Sequence, residues 1–150
     1  MIAKKWFNEK LFPELKEYTE ANSIYSPVVT KVYTEQSKIF PIVTVQLVNE
    51  RQKFGNLTYG ERTYPFRLNI NVYSNDKSVN NSKVSKIAIT DEISDVIETY
   101  FNNSCKISLR REDDIANIDG SIRRNLIIVE GILDTKLGED DLIMYPASNY

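Results

Sequence analysis

The sequence predicts an α+β fold, a mostly antiparallel sheet of about five strands covered by two helices in the order α-β-β-β-α-β-β. Three patterns carry that prediction. Apolar residues recur at helical spacing near the N-terminus and again between residues 89 and 101. Strict alternation of apolar and polar residues marks residues 64–74, and β-branched runs bounded by Gly, Asn and Asp occupy much of the rest. With 150 residues, 41% hydrophobic and 27% charged, the chain has the composition of one globular domain rather than of a disordered or membrane-spanning chain.

The first element spans residues 5–21, where Trp6, Phe7, Leu11, Leu15 and Tyr18 fall near one stripe of a helix and should cover a sheet. Pro13 lies inside it. Because proline lacks an amide donor and clashes with the preceding turn, the segment is either two short helical pieces or one kinked helix, with Pro13 near the first turn of the second piece. Residues 28–34 follow as a strand. Residues 40–48 form a stronger one, with Val43, Val45 and Leu47 on an apolar face and Pro41 confined to its start. Residues 49–63 are polar, with Gly55 and Gly60, and carry Arg51, Lys53, Glu61 and Arg62; they read as a long loop or protruding arm.

In the third strand, residues 64–74, Phe66, Leu68, Ile70 and Val72 face one way and Arg67, Asn69, Asn71 and Tyr73 the other. The polar side faces water in a monomer or lines an assembly surface in an oligomer. Residues 74–82 read as a polar linker into a helix over residues 83–101. There, Ile89, Ile93, Val96, Ile97, Tyr100 and Phe101 share one arc, and Asp91, Glu92, Asp95 and Glu98 the opposite one. Val84 and Ala88 project with the acids, so either the helix bends near Thr90 or these two touch a neighbouring chain. Two strands complete the sheet, residues 106–111 and 122–134, around a loop in which Asp119-Gly120 is a good turn dipeptide. Residues 1–137 thus form one domain. Residues 138–150 are a C-terminal arm, in which Leu142, Ile143 and Tyr145 either pack back or dock on a neighbour.

The residues that are missing exclude much chemistry. There is no His and the single Cys is Cys105, so a Ser-His-Asp triad, a Cys-His dyad, a His-ligated zinc site and an internal disulfide are all excluded within one chain. Cys105, with no local His, is expected to be a buried structural thiol. Nineteen basic against 21 acidic residues give a net charge of −2, which provides no global field for a polyanion. No phosphate-binding glycine loop is present, and no secretory leader or membrane span is apparent, so an intracellular or virion setting is expected.

Two acidic runs, Glu112-Asp113-Asp114 and Glu139-Asp140-Asp141, are the best candidates for holding Mg²⁺, in which case the chain would be a small hydrolase. Both lack the spacing of a calcium loop, and loop charges are usually only solvated, so no metal or cofactor is expected. Four arginines stand out more. In a hairpin centred on residues 112–120, Arg110 lies opposite Arg123, with Arg111 and Arg124 close by on the other face. Like charges across a ladder repel, so these arginines need anions. Acids of the connecting loop, acids of an adjacent subunit, and phosphates are the three sources.

Phe40-Pro41-Ile42-Val43-Thr44-Val45, followed after a polar arm by the strand from Tyr64-Pro65-Phe66 to Asn71-Val72-Tyr73, resembles the tail-terminator, or tail-completion and head–tail joining, proteins of long-tailed bacteriophages. The C-terminal pair is similar as well, with Arg123-Arg124 leading to Gly131 and Asp134. The resemblance covers about residues 25–135 and holds no catalytic signature. It implies a structural virion protein of the tail and neck, not an enzyme. It would be a homo-oligomeric ring, commonly a hexamer, that caps the tail-tube protein, meets a head-side connector protein and lets DNA pass. In such a ring Arg51, Lys53, Arg62, Val84, Ala88, Leu142, Ile143 and Tyr145 would contact subunits or partners. Arg110, Arg111, Arg123 and Arg124 would line the lumen or, in the preferred arrangement, pair with acids 112–114 between protomers. Another head-side phage adaptor is the alternative assembly role.

Overall fold

A computed structural model describes residues 2–31, 39–48, 63–104, 108–116, 119–134 and 143–146. The N-terminal helical segment changes its hydrogen-bond pattern just ahead of Pro13. Helix α1 (Ile2–Trp6) passes through a wide π turn (Phe7–Leu11) into α2 (Phe12–Asn22). The Phe12 amide donates to the Phe7 carbonyl, which closes the wide turn, and Pro13 sits in the first turn of α2, where no amide is needed. The segment is thus one continuous helical run interrupted by a π turn.

Strands β1 (Val28–Thr30) and β2 (Ile42–Leu47) pair in parallel, Val28 beside Ile42 and Thr30 beside Thr44. Strand β3 (Thr63–Ser74) runs antiparallel to β2, Val43 opposite Val72 and Leu47 opposite Leu68. The expected linker over residues 74–82 is instead a ribbon, β4 (Lys77–Val79) and β5 (Ser82–Val84). Asn80 and Asn81, at φ 51° and 66°, make its two-residue turn, because a I′ turn needs positive φ at both positions and Asn tolerates it. Val84 therefore belongs to a strand and packs against the core, and no helix bend is needed to place it.

Helix α3 (Lys86–Ser104) starts three residues later than expected because its N-terminus is capped there. The Ala88 amide donates to Ser85 Oγ and the Lys86 amide to Asp76 Oδ1. Strands β6 (Ser108–Glu112) and β7 (Arg123–Asp134) are antiparallel, and β7 lies between β6 and β3. Strand β8 (Ile143–Pro146) pairs with β7 from Gly131 to Asp134, on the border that β6 occupies from Leu126 to Glu130. Of the two fates expected for the arm, this part of it packs back.

The result is an α+β fold with a mostly antiparallel six-stranded sheet, ordered β1-β2-β3-β7-β6 with β8 beside β7. One apolar cluster joins the helices to the sheet. Trp6, Leu11 and Leu15 meet Val43, Val45, the alternate β3 residues Phe66, Leu68, Ile70 and Val72, and the α3 stripe Ile89, Ile93 and Ile97. The Trp6 and Phe66 rings lie 5.1 Å apart. The β3 alternation placed that face correctly, since all four of its apolar residues are buried.

Candidate functional site

The register of β6 on β7 decides where the arginines lie. Arg110 is opposite Ile128 and Arg111 opposite Ile127, so the expected facing of Arg110 and Arg123 does not occur. The described residues between β6 and β7 do not close as a tight hairpin loop. The Ile115 amide donates to the Arg124 carbonyl, and a separate turn follows at Asp119, whose carbonyl accepts from the Ile122 amide. Two consequences follow: Arg111 and Arg123 point toward α3, while Arg110 and Arg124 belong to the other side of the sheet.

On the α3 side the arginines meet the acidic arc of that helix, which is none of the three anion sources expected for them. Arg111 donates from Nη1 to Asp95 at 2.6 Å, from Nη2 to Asp91 at 3.2 Å and from Nε to Asp113 at 2.6 Å, with Glu98 at 3.6 Å. Arg123 donates from Nη1 to Asp91 at 2.9 Å, to Thr90 Oγ1 and to the Ile87 carbonyl. Asn125, fully buried, donates to Asp91 Oδ1 and Ser94 Oγ and accepts from the Asp114 amide. Burial opposes the charge of Arg111, but the hydrogen bonds to Asp113 and Asp95 and the fields of Asp113 and Glu98 outweigh it, so the guanidinium is held above its ordinary pKa. The acids at 91, 95 and 98 lie one turn apart, and that spacing gives one β-strand arginine three partners. It was the signal available in the sequence.

Glu92, on the same helix, turns the other way. It accepts from Ser23 Oγ and from the Ile24 amide, which pins the α2–β1 connection to α3. On the opposite side of the sheet Arg124 donates from Nε to Asn71 Oδ1 at 2.8 Å and lies 5.8 Å from the Tyr73 ring. Arg110 is exposed, with Glu112 at 3.7 Å. Thus loop acid Asp113 and strand acid Glu112 serve the arginines, as the intrachain source required, while the larger share comes from α3.

The other expected contact residues divide as follows. Val84 is half-buried against the core and Ala88 is exposed on the first turn of α3. Ile143 and Tyr145 lie on β8, opposite Asp134 and Ile132. Arg51, Lys53, Arg62, Leu142, Cys105 and the acids at 139–141 lie outside the described residues. Among the described residues no cluster of three or more acids is arranged to hold a metal ion, and no helix is long and apolar enough to cross a membrane. Asp113 of the first acidic run is engaged by Arg111, and the Asp119 carboxyl is held below the usual carboxylate range by the Ser121 hydroxyl and amide.

One concave feature was not foreseen. A groove of about 400 Å³ opens at the end of β2, lined by Val45, Gln46, Leu47 and Val48 with Phe7, Asn8, Lys4 and Lys31 around it. Lys31 donates to Asn8 Oδ1 at 2.7 Å and lies 4.9 Å from the Phe12 ring centroid. Among the described residues, four of the exposed large apolar side chains lie on or beside β1 and β2, while a fifth, Ile87, lies on the first turn of α3. Ile24 is 72% exposed and Ile39 66%, with Val28 on β1 and Val48 just after β2 also exposed. Compared with protein-family models and with curated proteins, the chain matches none.

Proposed function

We propose that this chain is a structural assembly protein that closes into a ring, caps the end of a bacteriophage tail tube and offers a docking face to the head-side connector. The observation that carries the reading is the unlikeness of the two sheet borders. The β1–β2 side exposes Val28 on β1 and Val48 just after β2, with Ile24 and Ile39 on the segments leading into these strands, while β6 exposes the charged pair Arg110 and Glu112. Unlike borders suit a head-to-tail contact, which generates a ring when its rotation closes. The resemblance of residues 40–45, 64–73 and 123–134 to tail terminators supplies the kind of ring.

Arg111 and Arg123, held by α3 within one chain, are scaffold in this reading, and the arrangement that placed them between protomers is set aside for these two. Arg110 and Arg124 remain for partners or for DNA passing through. Deletion of the gene in a phage tests the role by electron microscopy of lysates. Tails of irregular length beside unjoined heads are expected; normal tails beside leaking heads would point instead to a head-side adaptor.

A further inference from the structure

The charges around α3 run against the helix's own dipole. From Lys77 to Thr90, through the β4–β5 ribbon and the first turn of α3, the chain holds three lysines and no acid; from Asp91 to Ser104 it holds four acids and no base. A helix favours acids at its N-terminus and bases at its C-terminus, so this order is the unfavourable one. Contacts within the chain offset only part of it. Arg111 and Arg123 serve the acids at 91, 95 and 98, whereas Glu92 accepts from neutral groups. Among the described residues none of the three lysines forms an ion pair. Lys77 and Lys86 donate to the carbonyls of Phe40 and Gly120, with Asp119 in the field of Lys86, and Lys83 is exposed.

Where the basic and acidic stretches meet, α3 shows an apolar spot to solvent. Ile87 is 54% exposed, and Ala88 beside it is exposed as well. Ile87, Asp91 and Asp95 stand at i, i+4 and i+8 along one ridge of the helix, and Asp95 is 69% exposed, so the ridge opens to solvent. Residues 63–104 are described without a break, so this exposure belongs to a continuous stretch of described chain.

We propose that α3 pairs antiparallel with the α3 of a second copy of this chain, across a two-fold axis near Ile87 and Ala88. Charge complementarity selects that occupant. An antiparallel crossing at this point sets the lysines that precede and open each helix against Asp91 and Asp95 of the other, and it opposes the two macrodipoles. The small side chain of Ala88 lets the helices approach at the centre, where Ile87 leaves water. A two-fold contact is self-complementary, so each copy supplies both the basic and the acidic half. The ring contact joins unlike borders of the sheet. The α3 contact is therefore a separate one that does not rest on the ring reading, and it pairs two single chains or two rings alike.

Sedimentation velocity of the full chain over a range of concentrations tests the contact. A species of twice the mass of the smallest unit, whether chain or ring, is expected, and high salt should weaken it. Lys83→Glu and Asp95→Lys are each expected to weaken pairing at least about tenfold, because each sets like charges against one another at both symmetric contacts. Mixed in equal amounts, the two variants restore attraction at both contacts of a heterodimer, so pairing should return. Its return also shows that neither change merely prevents folding. The absence of a doubled species, variants that pair as well as the parent, or a mixture that stays unpaired overturns the proposal. Rings that form without doubling overturn it and leave the ring reading intact, whereas doubled single chains support it while the ring reading fails.

Discussion

Replacing Arg111 by Met tests whether α3 is held to the sheet by charge. Met keeps most of the apolar stem and removes the guanidinium, so the change isolates its polar contacts. The Arg111 side chain is 19% exposed, yet its partners Asp95 and Asp113 are largely exposed, so each pair belongs near the surface range of a few tenths to about 1 kcal/mol. Four such pairs, with the Asp91–Asp95 repulsion left unscreened one turn apart on α3, give a loss of about 2 kcal/mol. For a chain of this size that lowers Tm by roughly 4–8 °C. Urea denaturation should show a lower midpoint with an unchanged slope. The difference should shrink in high salt, which screens exposed charges. Arg110→Met, at an arginine whose side chain is 65% exposed, is the control and should stay within about 0.5 kcal/mol of the parent. Equal losses for the two variants, or a loss below about 0.5 kcal/mol for Arg111→Met, would refute the clamp.

Three further outcomes are expected. Asn125→Leu strands the Asp114 amide and removes two bonds to α3, so chemical denaturation should show a loss of about 2–3 kcal/mol. Asn80→Val places a β-branched residue at φ 51° and should cost about 1–2 kcal/mol by thermal unfolding, whereas Asn81→Gly should be neutral or slightly stabilising. Asp119 should titrate below the ordinary carboxylate range in carbon-detected NMR; because its folded pKa is depressed, its contribution is present above that range and lost as pH falls through the folded value, and Ser121→Ala should move the titration back up.

The layers of the fold were legible because they depend on local periodicity. The β3 alternation and the α3 stripe bury the residues that period 2 and period 3.6 assign to the core, except Val96, which is half-buried. Pro13 likewise marked the change of hydrogen-bond pattern before α2. What the sequence hid was register. Centring a hairpin on residues 112–120 put Arg110 against Arg123, whereas β6 extends along β7 five residues away from that alignment, with Arg110 against Ile128. That offset turned Arg111 toward α3 and gave the acidic arc of the helix a partner, which no pattern within either element specifies. The Asn80-Asn81 turn was readable and passed for a linker because its flanking strands are only three residues long.

The central claim is that this chain functions as a closed ring on a tube end. Sedimentation of the purified chain with isolated tail tubes, followed by electron microscopy of the complexes, tests it most directly. The account predicts closed rings, hexameric by the family resemblance, seated at one end of each tube. A chain that remains strictly monomeric at high concentration, with bare tube ends, would contradict it.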